Sequence, residues 1–276
     1  MRDKEKKAPK MDYSNYVGIV RETNRPSGGI KTIQTVCVNA HITDKKKVLE
    51  IGCNTGFTSR NIHLLTGAEV IGIDLNKKSI LAANETNALF EITRKVNFME
   101  ASVINLPFKN EEFDVVWLSN VLSFIKDKEV AVRECFRVLK DNGFLILVPI
   151  YYKKNPPKKL LKKVEEAINT KISVRTKEDW IKLIRGLEIP IEICFEKDFV
   201  YKNVKSKIQD YLSEVFNKEH INKMSEFERK TLFKEGKKFM ELFNENLKYA
   251  SFSIFIIQKR KFKEEVELFV SKPYKG

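Results

Sequence analysis

The sequence predicts an α/β protein with a seven-stranded, mostly parallel sheet and helices on both faces. Apolar runs of strand length alternate along the chain with stretches of helical periodicity, and the first clear strand passes through a glycine-containing turn directly into a helix. Strands are expected at residues 46–51, 69–73, 95–99, 113–118, 143–150, 189–197 and 249–258. Helices are expected at residues 31–41, 57–65, 77–91, 128–140, 157–169 and 176–187.

A glycine-containing turn and a later acid define the predicted ligand site. The turn reads Gly52-Cys53-Asn54-Thr55-Gly56 and follows a strand that contains Glu50 near its end. Eighteen residues after Gly56, a second apolar strand ends in Asp74. A carboxylate at that place in a strand-turn-helix-strand unit accepts hydrogen bonds from a ribose. The pattern therefore predicts a ligand that contains a ribose.

The side chains of the turn select among ribose-bearing cofactors. A dinucleotide site needs a second glycine so that the pyrophosphate can approach the backbone, and Asn54 stands at that position. Glu50 would repel a phosphate but would suit an ammonium group. S-adenosyl-L-methionine (SAM) has a ribose diol, an α-ammonium group, a sulfonium and no phosphate. We therefore predict SAM as the cofactor and S-adenosyl-L-homocysteine (SAH) as the product.

Three further segments complete a resemblance to a known family. Residues 96–108 end in Leu-Pro-Phe, residues 112–122 contain Phe-Asp-Val-Val, and residues 137–147 begin with Arg-Val-Leu-Lys. With the turn, they lie in order between residues 46 and 150, and they resemble the motifs of the class I SAM-dependent methyltransferases, in particular those that act on small molecules. The resemblance implies a Rossmann-like fold and SAM-dependent methyl transfer.

The resemblance also assigns expected cofactor contacts. Asp74 is expected to bind the ribose, Arg25 the methionine carboxylate, and the Tyr16 ring the sulfonium through a cation–π contact. Residues at the carboxyl ends of neighbouring strands complete the site. The expected cofactor-binding set is Tyr16, Arg25, Glu50, Gly52, Cys53, Asn54, Thr55, Gly56, Asp74, Leu75, Ala101, Ser102, Val103, Ser119 and Asn120.

Two residues depart from the family pattern. Asn54 replaces a common glycine of the turn, and Ser102 stands where many members have an aspartate that accepts from the adenine N6 amino group. A hydroxyl accepts that hydrogen bond more weakly than a carboxylate does. Both departures bear on the affinity for SAM, and a SAM-binding module without catalytic activity remains an alternative.

The chain is expected to form one structural domain with four segments, since one large core suits its 276 residues, of which 42% are hydrophobic. Ser225 and Glu228 form a plausible capping box that opens a helix of the insertion. The segments are an N-terminal helical lid (1–45), a SAM-binding Rossmann-like core (46–203), a helical insertion before the last strand (204–248), and the last strand with a basic tail (249–276).

A small-molecule acceptor is expected between the lid and the insertion, whose helical apolar face includes Tyr211 and Phe216. The alternative is that the insertion only covers the edge of the sheet. Methyl transfer by in-line displacement depends mainly on proximity, so no catalytic base is assigned, and His220, Tyr16 and Tyr151 are the candidates. The acceptor atom, whether oxygen, nitrogen or carbon, stays open.

An RNA methyltransferase is the main alternative function. The net charge is +14, and residues 151–163 contain six lysines and no acid. This segment could bind an anionic or carrier-bound substrate or a nucleic acid, or it could be an ordinary solvated face. The residues after the fourth strand, Ser119-Asn120-Val121, lack the prolines typical of enzymes that methylate the amino group of a flipped base.

Cysteine usage and the termini indicate the compartment. The four cysteines have no C-x-x-C pairing, which argues against a metal site or a disulfide framework. The charged N-terminus is not followed by an apolar region, and the apolar runs are too short for a bilayer. We therefore expect a cytoplasmic protein with no membrane partner and no metal, and its oligomeric state stays open.

Overall fold

A single sheet forms the centre of the protein. The computed structural model describes residues 11–22, 25–92, 94–172, 176–202 and 204–261, so the first ten residues of the expected lid and most of the expected basic tail lie outside the described residues. The strands of the sheet are β1 (Lys47–Ile51), β2 (Glu69–Asp74), β3 (Val96–Glu100), β4 (Phe113–Ser119), β5 (Leu139–Val148), β6 (Ile150–Tyr152), β7 (Ile191–Val200) and β8 (Ala250–Lys259).

The strand order is β3-β2-β1-β4-β5-β8, and both β6 and β7 also pair with β8. Strands β1 to β5 are parallel to their neighbours, whereas β8 is antiparallel to β5, β6 and β7. The three residues of β6 continue the edge of β5 beyond Pro149, which accounts for the extra strand relative to the seven expected. The order reverses between β1 and β4, where an open α/β sheet forms its ligand crevice.

Helices cover both faces of the sheet, as predicted. The α-helices are α1 (Tyr13–Val20), α2 (Ile30–Asn39), α3 (Phe57–Thr66), α4 (Lys77–Leu89), α5 (Lys128–Val138), α6 (Lys158–Ile168), α7 (Lys177–Arg185), α8 (Ile208–Phe216), α9 (Glu219–Asn222) and α10 (Glu226–Leu247). Ile33 and Ile62 pack α2 and α3 against one face, and Val132 and Ile184 pack α5 and α7 against the other.

The largest boundary difference from the sequence prediction lies between α5 and β5, which begins at Leu139 rather than at residue 143. The helix expected to reach residue 140 ends at Val138, because Leu139 already pairs with Phe113 of β4. The register then shifts, and regular pairing resumes at Phe144. A β-bulge of this kind inserts extra residues into one strand, and a helical pattern in the sequence does not reveal it.

A separate apolar cluster joins the lid helix α1 to the helices between β7 and β8. Tyr16 and Val17 of α1 pack there with Leu212 of α8 and Phe239 of α10, and all four are buried. The start of α10 is defined locally, since Ser225 and Glu228 form the expected capping box there. Among the described residues, no helix is both long enough and apolar enough to cross a membrane.

Candidate cofactor site

The turn after β1 has the backbone conformation that its glycines require. Gly52 and Gly56 have φ values of 71° and 79°, in the left-handed region. The amides of Gly52 and Cys53 both donate to the carbonyl of Ile73 in β2, at 2.8 and 2.9 Å. The turn is therefore fixed against the neighbouring strand, and it opens α3 at the crevice.

The two glycines also leave room for side chains from other elements. A Cβ at Gly52 would collide with Cγ2 of Val121, which follows β4. A Cβ at Gly56 would collide with the ring of Phe98 in β3 and with the Arg60 guanidinium. These positions thus combine a positive φ with close packing, so a side chain at either one is expected to disturb the fold as well as ligand binding.

Asn54 keeps the turn in the conformation that the common glycine would give. Its φ is 48°, and asparagine is among the few residues with a side chain that adopt the left-handed region readily. Its Oδ1 atom accepts from the Thr55 amide at 2.7 Å. The departure from the family pattern therefore preserves the local backbone.

Asp74 lies at the end of β2 beside this turn. One carboxylate oxygen accepts from the Asn54 amide at 2.9 Å, and the other accepts from the Asn76 amide at 2.8 Å. Each oxygen has a further lone pair for a ligand. Leu75, 70% exposed, and Ile104, 48% exposed, add apolar surface near this edge. The free lone pairs of Asp74 are acceptors of the kind that a ribose diol requires.

Glu50 has a structural partner that the sequence did not indicate. Its carboxylate is buried and accepts from the Ser59 amide at 2.8 Å and from the Ser59 hydroxyl at 2.5 Å, in the first turns of α3. Burial raises the pKa of Glu50 to about 7, and the hydrogen bonds from Ser59 and Thr58 oppose that rise. Glu50 therefore holds α3 against β1, and its contact with the ammonium group of SAM stays a prediction.

The end of β4 closes the other side of the crevice. Asn120 has a φ of 55°, its amide donates to the Val148 carbonyl at 3.0 Å, and its Oδ1 accepts from the Ser123 hydroxyl at 2.9 Å. Val121 then reaches Gly52 of the turn. Ser119 and Asn120 are partly buried at this edge, as are Ala101 and Ser102 at the end of β3.

The lid segment contacts the turn directly. The Thr55 hydroxyl donates to the backbone carbonyl of Glu22 at 2.5 Å. The Asn76 side chain donates to the Ser14 hydroxyl of α1 at 3.0 Å. The Arg25 guanidinium lies 5.1 Å from the centre of the Phe57 ring at the start of α3. The lid thus approaches the candidate site from the side of α3 and α4.

The three candidate bases lie in different surroundings. Tyr16 is 1% exposed within the lid–insertion cluster, and Tyr151 accepts from the Ser253 hydroxyl of β8 at 3.1 Å. His220 of α9 lies near the end of α1, and burial, followed by the charges of Arg21 and Lys218, lowers its pKa. The structure does not bring the three side chains together, so none is favoured as a base by a shared site.

The sequence did not indicate the residues that pack against the turn or are hydrogen-bonded to the site residues. Phe98 packs under Gly56, Ser59 binds Glu50, and the Glu22 backbone accepts from Thr55. Phe98 and Ser59 look like ordinary strand and helix residues in the sequence. No local sequence pattern distinguishes Glu22 from a surface acid.

Comparisons with known proteins bear on the family and the fold. Residues 49–147 match the family model described as methyltransferase domain. An uncharacterised protein of Haemophilus influenzae is 29% identical over 168 residues, which are 60% of this chain and 67% of that protein. The chloroplastic tocopherol O-methyltransferase of Arabidopsis thaliana is 33% identical over 125 residues, which are 43% of this chain and 36% of that protein.

A solved structure extends the likeness over most of the fold. The crystal structure of MccD protein covers 86% of this chain and 100% of its own, with a TM-score of 0.70 and 24% identity, which shows the fold alone. The fold is therefore that of a Rossmann-like domain, and the methyltransferase family that the chain matches uses SAM. Residues 49–147 match the methyltransferase domain family, in agreement with the predicted resemblance to the class I SAM-dependent methyltransferases.

Proposed function

We propose that the protein transfers the methyl group of SAM to a small-molecule acceptor. One observation carries this proposal: the glycine turn and Asp74 lie at the carboxyl edge of the sheet, where the lid covers them. The lid is hydrogen-bonded to Thr55 of the turn and to Asn76, which follows Asp74 by two residues. SAM supplies an activated methyl group when it is bound. The protein then has to orient the acceptor and exclude water, which a covered site favours.

Individual roles follow from the position of each residue. Asp74 would bind the ribose, and the partly exposed edge of Leu75, Ala101 and Ser102, with Val103, would surround the adenine. Arg25, Ser119 and Asn120 would lie near the methionine end of SAM. These assignments are supported by the common edge on which the residues lie.

The names of relatives support a small acceptor and leave its reacting atom open. Relatives are described as methyltransferases of tocopherol and of 27-O-demethylrifamycin SV, and another is described as norajmaline N-methyltransferase. Because the chain spans only 36 to 44% of these three proteins, the acceptor of the whole protein is part of this proposal.

Calorimetric titration tests the cofactor half of the proposal. We expect the full chain to bind SAM and SAH and not to bind NAD, because the turn carries Asn54 where a pyrophosphate would pass. Transfer of a radiolabelled methyl group from SAM to pooled small molecules tests the other half. Absence of SAM and SAH binding by folded protein would contradict the assignment.

A second candidate function, RNA methylation, is favoured by one surface. Six exposed lysines lie between residues 153 and 163, and Lys158 and Lys159 open α6, where the helix dipole disfavours a positive charge. An anionic partner would relieve that repulsion. RNA mobility-shift assays at increasing salt test this candidate, since binding to phosphates weakens steeply with salt. A lack of RNA binding at low salt would exclude it and leave an anionic or carrier-bound small substrate.

We also propose a cytoplasmic location. Cys37, Cys53 and Cys135 are buried free thiols, which suits a reducing compartment. Cell fractionation with an antibody against the protein tests this location, and recovery in a secreted fraction would contradict it.

A further inference from the structure

A buried carboxylate lies where the lid, the insertion and the glycine turn meet. Glu22 is 7% exposed, and its backbone carbonyl accepts from the Thr55 hydroxyl of the turn at 2.5 Å. Its side chain accepts from the Tyr13 hydroxyl of α1 at 3.4 Å. The Tyr211 hydroxyl of α8 lies near the same carboxylate, and burial, followed by the charge of Glu22, raises the pKa of Tyr211. Glu22 therefore lies close to the cofactor turn and is surrounded by tyrosines.

Hydroxyl groups surround this carboxylate, and the neighbouring cations are engaged elsewhere. The Lys218 ammonium donates to the backbone carbonyls of Val20 and Arg21. The Arg25 guanidinium lies over the ring of Phe57. Both charges act on Glu22 from a distance, and burial still raises its pKa. A buried carboxylate that lacks a close counterion is costly, so a bound cation would stabilise this arrangement.

A second polar atom at this place lacks a partner. Tyr16 is 1% exposed, and its hydroxyl makes no hydrogen bond within the part of the chain that the structure describes. Gly236, in the interior of α10, leaves the space for that hydroxyl, because a Cβ there would collide with it. A glycine inside a helix is less favourable than alanine, and a buried unpaired hydroxyl is unfavourable as well. A phenylalanine would avoid the second cost, so the hydroxyl is consistent with a ligand.

Aromatic rings line the same region. The Tyr13 ring centre lies 4.8 Å from that of Phe243 and 5.6 Å from that of Phe239, and Tyr16 lies 5.4 Å from Phe239. Aromatic faces attract ammonium groups, most strongly where water is excluded. Rings and a carboxylate together favour an organic cation over a neutral or an anionic group.

We propose that Glu22, Tyr13, Tyr16 and Tyr211 form the acceptor subsite and that they bind an amine as its ammonium ion. The ammonium would pass one proton to the Glu22 carboxylate, and the freed nitrogen lone pair would form the new N–C bond as the methyl–sulfur bond of SAM breaks and SAH leaves. This deepens the proposed function and rests on it, since the subsite adjoins the turn that would hold SAM. It names the class of acceptor, an amine, among the small molecules that the proposed function leaves open.

Two probes of the same shape test the subsite in the full chain. Choline carries a quaternary ammonium group, and 3,3-dimethylbutan-1-ol is its neutral isostere. Titration calorimetry on the SAH-saturated protein should show choline bound at least about tenfold more tightly than the alcohol, since desolvated cation–π contacts and a buried carboxylate act only on the cation. Equal affinity for the two probes, or no choline binding, would overturn the proposal.

Variants assign the preference to named residues. Glu22→Gln keeps the side-chain shape and should weaken choline about tenfold or more while leaving the alcohol unchanged. Tyr16→Phe should weaken choline a few-fold. Glu214→Gln, at an exposed acid of α8, is the matched control and should leave both probes unchanged. Unchanged choline affinity in Glu22→Gln would refute the assignment.

The comparison of the two probes remains decisive in two cases where another part of the test fails. If Glu22→Gln does not fold by circular dichroism, the comparison of the two probes on the unmodified protein still decides. If the protein does not bind SAH, the proposed function fails, and the same comparison made without SAH still decides whether an ammonium site exists.

Discussion

The cofactor side and the lid–insertion side of this protein are held together in different ways. At the cofactor side, backbone amides of the turn donate to Ile73 and to Asp74, and glycines with positive φ set the path of the chain. At the lid–insertion side, α1, α8 and α10 meet through apolar side chains around Leu212 and Phe239. Local backbone chemistry thus defines the first region, and side-chain packing between distant segments defines the second.

The comparison has a direct consequence for experiments on the lid. Tyr16, Val17 and Val20 are between 0 and 1% exposed and belong to the lid–insertion cluster. Deletion of the lid would therefore remove core residues, and a loss of turnover could not be separated from a loss of stability. Single substitutions distinguish the two regions better than truncation does.

The largest effect is expected in the packed region. Leu212→Ala should lower the free energy of unfolding by about 2–5 kcal/mol, because Leu212 is fully buried and its removal leaves a cavity. Urea unfolding followed by circular dichroism measures the change. Leu81→Ala, at a 62% exposed position of α4, is the matched control and should change the stability by less than about 1 kcal/mol. A loss below that limit for Leu212→Ala would show that the cluster is loosely packed.

Substitutions at two glycines separate the effect of close packing from that of backbone strain. Gly56→Ala should lower the free energy of unfolding by about 2–4 kcal/mol, because the left-handed φ is unfavourable and the new Cβ meets Phe98. Gly67→Ala carries the same left-handed strain at φ 74° and ψ 0°, its new Cβ would lie 3.0 Å from the Asp44 Cβ, and about 1–2 kcal/mol is expected there. Equal losses would show that Phe98 yields and that strain alone determines the choice of glycine.

The raised pKa of Glu50 predicts that the stability of the protein depends on pH. Its folded pKa of about 7 lies above the ordinary value of 4.5. Between these pH values the unfolded chain releases a proton that the folded protein retains, so the free energy of unfolding falls as pH rises and the loss is complete above pH 7. Glu50→Gln still accepts from Ser59 and should remove that fall, a gain of up to about 3 kcal/mol at pH 8 relative to pH 4.

Urea unfolding of the unmodified protein and of Glu50→Gln across that pH range measures the effect. Glu100→Gln, at an exposed acid at the end of β3, serves as the control and should follow the unmodified protein. Parallel pH profiles for all three proteins would refute the raised pKa of Glu50.

The smallest effect is expected at Asp74, whose carboxylate would bind the ribose and also accepts from the Asn54 and Asn76 amides. Removal of a charged hydrogen-bond acceptor costs about 1.5–3 kcal/mol, so Asp74→Ala should weaken SAH about ten- to a hundredfold by calorimetry. Glu100→Ala is the control, because Glu100 pairs in register with Asp74 on the adjacent strand and is exposed. Similar SAH affinity for both variants would remove Asp74 from the proposed site.

How much could be predicted from the sequence also differs from one part of the structure to another. The strands, the turn at Gly52 and Gly56, and the acid at Asp74 were predicted correctly, because each follows from short-range periodicity or from a motif. The bulge between Leu139 and Phe144 was not, because strand pairing rather than local propensity ended α5. The roles of the cofactor-binding residues stay predictions.

The sequence by itself determined the alternation of strands and helices, the glycine turn, and with it the methyltransferase family. Hydrophobic periodicity and glycine conformation act over a few residues, so these features can be recognised without the fold. Only the tertiary structure brought Glu22 to Tyr211 and joined Tyr16 to Gly236 across the chain. Burial and the pairing of buried polar groups depend on which distant segments meet, and no local pattern specifies that.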